Sequence, residues 1–303
     1  MFEDLLTEQR NPRSMSLDQM TTLEILALIN EEDAKVAPAV REALPQIAAA
    51  VELVIDRLQK GGRVFYVGAG TSGRIGLLDA LEWPPTFGVD RDVAQAIVAG
   101  GEAAAIESAS ELEDDADLGA ADLSARGVRP VDVVIGISAS GRTPYVVGAL
   151  RAARHIGAAT VSLSCNPNGA MAELADVAIT VLVGPEVLTG STRMKAGTAQ
   201  KMVLNMISTT AMVRLGKVYS NLMVDLQPLN RKLLERARRI VAEAAGISYE
   251  EAARFLEAAQ NHVKAAIVMA VTRCDLPSAL ERLQRAGGFV RQAIESGKGQ
   301  GGS

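Results

Sequence analysis

A predicted strand over residues 63–67 leads into a turn built from small and hydroxyl-bearing residues. The turn contains Gly68, Gly70, Gly73, Thr71 and Ser72. The glycines allow a tight turn, and Thr71 or Ser72 can cap the helix that is predicted to follow. At such a junction the free backbone N–H groups and the positive end of the helix dipole face the turn and attract anions. The segment therefore predicts an anion-binding site.

The glycine spacing leaves three interpretations open. It matches G-x-G-x-x-G, which is typical of dinucleotide-binding turns, but that motif expects an acidic residue at the end of the second strand to hold a ribose. The next predicted strand, 95–98, ends in an Ala-Gly-Gly turn, and Glu102 lies just beyond it. Because the hydroxyls of Thr71 and Ser72 suit a phosphate monoester, we favour that ligand over a dinucleotide. The third interpretation is a turn that only joins a strand to a helix.

Two further loops rich in hydroxyl groups occur later in the chain. Residues 131–137 are an almost continuous apolar run, which indicates a central parallel strand, and a loop of Ser, Thr and Gly residues follows at 138–144. A third hydroxyl-rich loop, at 189–198, carries Arg193 and Lys195. Loops at the carboxyl ends of parallel strands lie along one edge of the sheet, where open α/β sheets bind ligands. The sequence therefore predicts one ligand site built from several loops.

The elements that position these loops follow from apolar periodicity and turn residues. Strands are predicted at 63–67, 95–98, 131–137, 159–164 and 177–183. Helices are predicted at 17–30, 31–43, 45–59, 72–82, 102–109, 113–125, 144–155, 196–215, 228–245, 248–259, 263–271 and 276–286. The helix at 72–82 is expected to end there, because Pro84 disfavours the α conformation of Trp83 and Pro85 repeats the effect.

Strands that alternate with helices indicate an α/β fold with a doubly wound parallel sheet. After residue 226 only short helical segments follow, which indicates a small helical domain. We therefore expect N-terminal helices at 1–60, a sheet domain at 61–225, a small C-terminal helical domain at 226–296 and a disordered tail at 297–303.

The composition narrows the class of protein. The chain has 303 residues, a formal net charge of −5 and no dense stripe of basic residues, which argues against a nucleic-acid partner. Cys165 and Cys274, with His155 and His262, form no cluster with metal-ligand spacing, so we expect no metal. The polar N-terminal segment is unlike a signal peptide, and no apolar run reaches membrane-spanning length. The expected location is therefore cytoplasmic, away from membranes.

Hydroxyl-rich loops on a parallel sheet resemble those with which SIS (sugar isomerase) domains hold phosphorylated sugars. The likeness is carried by GAGTSGRIGLLDALEWPPTFG (68–88), ELEDD (111–115), ISASGRTPYV (137–146) and TGSTRMKAGTAQK (189–201). Together with TEQRN near the start and NLMVD at 221–225, these stretches resemble the N-acetylmuramic acid 6-phosphate etherase family over nearly the whole chain. The resemblance implies the SIS fold and a C-terminal part like the small ubiquitin-associated-type domain of that family.

The same resemblance implies a reaction. The family cleaves the lactyl ether of N-acetylmuramic acid 6-phosphate, by elimination and then hydration, to give N-acetylglucosamine 6-phosphate and D-lactate in bacterial peptidoglycan recycling. This reaction needs a base at carbon 2 and an acid at the leaving oxygen, and it needs neither a metal nor an organic cofactor. SIS active sites often take residues from a second subunit, so the resemblance also implies a homodimer.

Carried over position by position, the family's two catalytic glutamates correspond to Glu82 and Glu113, although Glu111 is an alternative to Glu113 within the acidic run. The expected substrate- and phosphate-binding residues are Gly70, Thr71, Ser72, Ser138, Ser140, Gly141, Thr143, Arg193 and Lys195. Arg193 and Lys195 could instead form a salt bridge between subunits, and the serines could be ordinary turn formers.

The local sequence suggests a role for each glutamate. Glu82 is expected at the end of its helix and crowded by Trp83 and two prolines, and both features would raise the pKa of its carboxyl, which suits an acid. Glu113 is expected at a helix start, where the dipole favours a carboxylate, which suits a base, although Asp114 and Asp115 would raise its pKa. Glu82 could also be an ordinary surface residue.

Three other functions remain open at the level of sequence. A sugar-phosphate isomerase is the nearest enzyme. A sugar-phosphate sensor of the glucokinase-regulator kind would bind the same ligands without catalysis, but it would need neither glutamate. A nicotinamide-dependent enzyme would use the glycine motif to bind a dinucleotide cofactor, and it is the least supported of the three functions.

Overall fold

The computed structural model describes residues 5–101, 103, 110–226 and 231–296. The chain divides into two compact units. The first combines Met1–Leu81 with Asp92–Ser208, and the second combines Glu82–Arg91 with Thr209–Ser303. The predicted helix at 102–109, apart from residue 103, and the predicted tail at 297–303 lie outside the described residues.

The first unit is built around a five-stranded sheet in the order β2-β1-β3-β4-β5. Its strands are β1 (Val64–Gly68), β2 (Ala94–Val98), β3 (Val133–Ile137), β4 (Ala159–Ser164) and β5 (Val177–Thr180). All neighbouring pairs are parallel, with Val64 opposite both Ala94 and Val133. Every residue of β1, β3 and β4 is buried, as expected for strands covered on both faces. The predicted doubly wound α/β class is confirmed.

Helices flank the sheet in the first unit. They are α1 (Thr22–Asp33), α2 (Val36–Glu42), α3 (Leu44–Gln59), α4 (Gly70–Phe87), α5 (Ala116–Ala125), α6 (Pro144–Ile156) and α7 (Lys195–Arg214). The last residues of α4, after Leu81, and of α7, after Ser208, belong to the second unit. Phe65 of β1 packs with Leu123 of α5 and Tyr145 of α6 in one buried cluster. Tyr66 points to the opposite face and donates a 2.7 Å hydrogen bond to Asp79 of α4. This alternation places helices on both sides of the sheet.

Helix α4 differs from its prediction, because it continues through Pro84 and Pro85 to Phe87. Each proline lacks an N–H group, so two of the ladder hydrogen bonds are lost. Trp83 and Phe87 lie four residues apart on one side of the helix and are both buried. Burial of these two large side chains offsets the lost hydrogen bonds, and the prediction that the helix ends at Glu82 is wrong.

The acidic run also differs from its prediction. Residues Ser110–Asp114 form a short 3₁₀ helix, and α5 begins only at Ala116. Asp115 caps α5, since its carboxylate accepts a 2.9 Å hydrogen bond from the Leu118 N–H. Glu113 therefore lies before the cap, and not in the first turn of α5 as predicted.

The second unit is mainly helical in its described part. Its C-terminal helices are α8 (Arg231–Ala245), α9 (Tyr249–Ala258), α10 (Val263–Thr272), α11 (Leu276–Arg285) and α12 (Val290–Glu295). Nearly all of α10 is buried, and it contributes Ile267 and Val268 to a core with Val241 of α8 and Leu256 of α9. The prediction missed an antiparallel hairpin of two short strands, β6 (Val218–Tyr219) and β7 (Leu222–Met223). Each strand has only two residues, which is too short to give a periodic pattern in the sequence. Within the described residues, we find no helix with the length and apolar character needed to cross a membrane.

Candidate functional site

A cavity of about 770 Å³ lies in the first unit, where the order of the strands reverses. The chain passes from β1 out to β2 and then returns to β3 on the other side of β1, so the loops that follow β1 and β3 diverge and leave a crevice between them. Both of these loops line the cavity, as the sequence predicted. The predicted residues that line it are Gly70, Thr71, Ser72, Glu113, Ser138, Ser140 and Thr143.

The loop between β3 and α6 gathers three hydroxyl groups. Ser138 Oγ lies 2.7 Å from Thr143 Oγ1 and 3.1 Å from Ser140 Oγ. Thr143 precedes α6, but its side chain makes no cap hydrogen bond to the helix. The hydroxyl cluster therefore lies at the positive end of α6, where an anion is stabilised.

Gly141 lies in the same loop but is not among the residues that line the cavity. It has φ of +70°, and its N–H donates a 3.2 Å hydrogen bond to Ser138 Oγ. A β-carbon at this position would lie 3.1 Å from Cβ of Ser164. Gly141 thus shapes the hydroxyl loop, whereas we predicted that it contacts the ligand.

The turn between β1 and α4 supplies the second wall. Gly70 has φ of +50°, a left-handed conformation that favours glycine. Ser72 donates a 3.0 Å hydrogen bond to Oε1 of Gln200, a buried residue of α7. This contact holds the first turn of α4 against α7, and so it fixes the position of Thr71 and Ser72 at the cavity.

Glu113 is half-buried and lies over this turn. A β-carbon built on Gly70 would lie 3.1 Å from Oε1 of Glu113, so the carboxylate occupies the space that a side chain would take. Burial raises the pKa of Glu113, and the negative charge of Asp114 raises it further, while the positive charge of Arg74 opposes both. The site therefore contains a carboxyl whose pKa is shifted toward neutrality, as is common for catalytic bases.

Replacing Gly70 by alanine is expected to reduce kcat/KM at least tenfold. The new methyl group would push the carboxylate of Glu113 away by a few tenths of an ångström, and a displacement of about 1 Å can cost on the order of 100-fold in rate. The matched control is Gly127→Ala, since Gly127 has φ of +61° with no atom within 4 Å of an added β-carbon. Both variants carry the backbone strain, so similar loss of activity in both would contradict this account. Steady-state kinetics and thermal melting would separate activity from stability.

The third hydroxyl-rich loop is held by a buried carboxylate of the chain itself. Glu186 is fully buried, and its two oxygens accept hydrogen bonds of 3.0 and 2.9 Å from the N–H groups of Lys195 and Ala196 at the start of α7. Burial raises the pKa of Glu186, although these two bonds partly counteract the shift. Because Glu186 occupies the positive end of α7, that helix end is not available to a phosphate.

Lys195 and Arg193 do not line the cavity. Lys195 is only 1% exposed, and its ammonium lies 2.7 Å from Oε2 of Glu32. Lys195 therefore forms an ion pair within its own chain. The two predicted alternatives for it were a contact with the substrate and a salt bridge between subunits, and this ion pair is neither of them. Arg193 is exposed, and its neighbour Thr192 is the residue of this loop that lines the cavity.

The structure distinguishes the acidic candidates by position. Glu113 lines the cavity, while Glu111 is exposed and is not among its lining residues. Glu82 belongs to the second unit, where it is exposed and lies five residues before the end of α4. The helix-end position and the apolar crowding that we expected for Glu82 are therefore both absent. Its role as an acid remains a prediction that rests on the resemblance alone.

Several lining residues were missed by the sequence analysis. They are Thr7, Glu8, Arg74, Asp114, Arg142 and Thr192, together with apolar residues of the same loops. Arg74 and Arg142 belong to the stretches 68–88 and 137–146 that carry the family resemblance, and their positive charge is a sequence signal for an anion site. Thr7 and Glu8 belong to TEQRN, which carries no local pattern that places it at a sheet edge 60 residues away.

Two family models match the chain. The glucokinase regulatory protein N-terminal SIS domain matches residues 46–154, and the SIS domain matches residues 106–210. Together the two matches cover all five strands of the sheet and the cavity-lining loops that follow β1 and β3, but not the N-terminal segment with Thr7 and Glu8.

Curated relatives match nearly the full length of the chain. An N-acetylmuramic acid 6-phosphate etherase from Geobacillus thermodenitrificans is 57% identical over 97% of this chain and 100% of its own length. One from Mycolicibacterium smegmatis is 55% identical over 97% of this chain and 98% of its own length. A solved phosphoheptose isomerase from Neisseria gonorrhoeae has a TM-score of 0.50 at 20% identity, covering 63% of this chain and 98% of its own. That likeness concerns the fold alone.

Proposed function

The chain belongs to the N-acetylmuramic acid 6-phosphate etherase family, and we propose that the cavity of its first unit is where it binds and cleaves that substrate. The protein is a carbon–oxygen lyase that converts N-acetylmuramic acid 6-phosphate and water into N-acetylglucosamine 6-phosphate and D-lactate. The observation that carries the function is the identity of more than half of the residues over nearly the full length of curated etherases. An isomerase has support only from a likeness of fold.

The phosphate of the substrate binds at the loop between β3 and α6. Ser138, Ser140 and Thr143 bring three hydroxyls together at the positive end of that helix, which is the arrangement that phosphate oxygens prefer. Thr71 and Ser72, at the start of α4, form the facing wall and contact the sugar or a second phosphate oxygen. Arg142 lies on the same wall as the hydroxyl cluster and adds a positive charge.

Glu113 acts as the base. In the ring-opened sugar, carbon 2 carries a proton next to the aldehyde, and removal of that proton forms an enolate. Because burial and Asp114 raise the pKa of Glu113, its carboxylate is a stronger base than an exposed glutamate. The positive charge of Arg74 favours the carboxylate form and so preserves the active state.

Glu82 acts as the acid, by analogy with the family. The enolate expels the lactyl oxygen from carbon 3, and a proton from Glu82 converts that oxygen into the hydroxyl of D-lactate. Water then adds to carbon 3 of the unsaturated aldehyde, and carbon 2 regains a proton. Overall, the ether bond and one water molecule are converted into two hydroxyl groups, one on carbon 3 of the sugar and one on D-lactate, so all atoms are accounted for.

The proposal also includes a homodimer in the cytoplasm. SIS-type sites often combine residues of two subunits, and Glu82 is exposed on α4, where a second subunit can reach it. Light scattering of the purified protein is expected to give twice the mass of the chain. A monomer with full activity would contradict the homodimer and, since Glu82 does not line the cavity, the role of Glu82 as an acid reached across subunits; the overall reaction would stand.

The reaction itself is tested with N-acetylmuramic acid 6-phosphate in oxygen-18 water. We expect D-lactate without heavy oxygen and a sugar with heavy oxygen at carbon 3, located by the isotope shift in its carbon-13 spectrum. The carbon that carries the heavy oxygen must be identified, because the aldehyde oxygen at carbon 1 also exchanges with water. The total mass of the sugar therefore cannot distinguish carbon 3 from carbon 1. N-Acetylglucosamine 6-phosphate incubated alone gives the level of exchange at carbon 1.

Each other outcome has a definite meaning. Heavy oxygen in the hydroxyl of lactate would indicate direct substitution and would overturn elimination. Binding of the sugar phosphate without release of lactate would instead favour a sensor, the non-catalytic alternative. Interconversion of the sugar without loss of lactate would favour an isomerase.

A further inference from the structure

The segment before α1 is anchored at the carboxyl edge of the sheet. Asn166, which is fully buried after β4, donates a 2.9 Å hydrogen bond from Nδ2 to Thr7 Oγ1 and another of 2.9 Å to the carbonyl of Ala139. The Thr7 N–H in turn donates a 3.4 Å hydrogen bond to Oδ1 of Asn166. One buried amide thus ties the segment to the hydroxyl loop, and Thr7 and Glu8 become part of the cavity wall.

Glu8 lies against the third hydroxyl-rich loop. A β-carbon built on Gly190 would lie 3.1 Å from Oε2 of Glu8, and Gly190 has φ of +75°. The half-buried carboxylate is therefore confined between the cavity and a glycine that leaves room for it. Among the described residues, no lysine, arginine or histidine lies within ion-pair distance of Glu8.

This position has a consequence for the ligand. A carboxylate repels the phosphate and the lactyl carboxylate of the substrate, so neither group can be its partner. It accepts hydrogen bonds, and the groups of the substrate that can donate them are the hydroxyls and the acetamido N–H. The anionic groups are then directed toward the hydroxyl cluster and the arginines on the other walls.

We propose that Glu8 is a specificity-determining residue that accepts hydrogen bonds from the neutral donors of the amino sugar, its hydroxyl groups and its acetamido N–H. This inference rests on the proposed function, since it takes the amino-sugar phosphate as the ligand. Glu8 orients the sugar with its phosphate at Ser138, Ser140 and Thr143, and takes no part in the transfer of protons. A hydrogen bond to an ionised acceptor corresponds to roughly 10- to 100-fold in affinity.

The test compares Glu8→Gln and Glu8→Asp with the wild-type protein. Calorimetric titration with N-acetylglucosamine 6-phosphate and with inorganic phosphate separates recognition of the sugar from recognition of the phosphate. We expect both variants to bind the sugar phosphate about 10- to 100-fold more weakly. Glu8→Gln lacks the negative charge, and the side chain of Glu8→Asp is one methylene too short to reach the sugar. Inorganic phosphate is expected to bind the variants at least as tightly as the wild type, since a repelling charge is removed or drawn back. The KM of lactate release should rise in parallel, with kcat changed less than KM.

Glu42→Gln is the matched control, since Glu42 is an exposed glutamate at the end of α2. If the Glu8 variants bound N-acetylglucosamine 6-phosphate and inorganic phosphate more weakly by the same factor, the proposal would be overturned, because the substitutions would then distort the whole cavity. Wild-type affinity in Glu8→Asp would also overturn it, since charge alone would then be sufficient. If the wild-type protein binds the sugar phosphate but releases no lactate, the proposed reaction fails, while the titrations still decide the role of Glu8.

Discussion

Replacing Glu113 by glutamine is expected to slow the release of lactate by about 10²- to 10⁴-fold, the usual contribution of a general base. Glutamine has nearly the shape of glutamate but cannot accept the proton of carbon 2. Binding of N-acetylglucosamine 6-phosphate should change little, since the hydroxyl cluster that holds the phosphate is intact. A coupled assay for D-lactate measures the rate, and calorimetry measures the binding.

Glu111→Gln is the matched control for this prediction. Glu111 lies two residues away in the same 3₁₀ helix but is exposed and does not line the cavity. We expect it to keep a rate within about twofold of the wild type, as is usual for exposed substitutions. If Glu111→Gln were the inactive variant instead, the base would be Glu111 and the geometry of the cavity would not describe the working site.

The pH dependence tests the same assignment. The base works only when deprotonated, so kcat/KM falls as pH decreases through the pKa of Glu113. Because burial and Asp114 raise that pKa, the fall is expected at a higher pH than an exposed glutamate would give. Asp114→Asn removes one of the two raising effects, and the fall should then move to lower pH. An unchanged profile in Asp114→Asn would show that another group controls it.

Proton exchange at carbon 2 separates the base from the acid. In deuterated water, Glu113→Gln should lose exchange and lactate release together, because neither occurs without the enolate. Glu82→Gln should keep exchange while losing most of the lactate release, since only expulsion of the lactyl oxygen needs the acid. Complete loss of exchange in Glu82→Gln would contradict this division of roles.

Most of the sheet could be predicted from the sequence because its strands are buried on both faces. The runs at 63–67 and 131–137 are almost wholly apolar, and both are followed by a turn of Gly, Ser and Thr residues. Those two signals locate the strand and the loop at its carboxyl end, and the sheet geometry then brings the loops together. Local pattern was therefore enough to place Thr71, Ser72 and the hydroxyls of the second loop at the cavity, while their contact with the substrate stays a prediction.

Local pattern was not enough where a tertiary contact decides the outcome. Pro84 and Pro85 predict a helix end, but burial of Trp83 and Phe87 keeps the helix intact beyond them. The start of α7 has the hydroxyl loop of an anion site, yet Glu186, nine residues before Lys195, occupies it. Nothing in either segment reveals the distant or buried partner, so such outcomes need coordinates.

The buried pair of Lys195 and Glu32 is expected to be a large contributor to the stability of the first unit. Both side chains are 2% exposed, and Lys35 and Arg13 also contact the Glu32 carboxylate. Breaking a buried pair by removing one charge typically costs about 3–5 kcal/mol, because the other charge stays buried without its partner. Glu32→Gln, which keeps the shape, should therefore lower the free energy of unfolding at pH 7 by an amount of that order.

The sign of the pH dependence follows from the pKa of Glu32. Burial alone would raise it, but hydrogen bonds and charges from Lys195 and Lys35 outweigh burial and lower the pKa from 4.5 to about 2. A lowered pKa gives stability that is present above pH 4.5 and is lost as pH falls toward 2. At about 1.4 kcal/mol for each pKa unit, that part of the stability is roughly 3 kcal/mol.

Urea unfolding of the wild type, Glu32→Gln and Glu31→Gln between pH 7 and pH 2 measures both effects. Glu31 is the matched control, since it lies next to Glu32 on α1 and also pairs with Arg13, but it is exposed, and exposed pairs contribute about 0–1 kcal/mol. We expect the gap between the wild type and Glu32→Gln to narrow as pH falls below 4.5, while Glu31→Gln follows the wild type throughout. A gap that stays constant with pH would mean that the loss comes from the way the amide of Glu32→Gln fits the site and not from the missing charge.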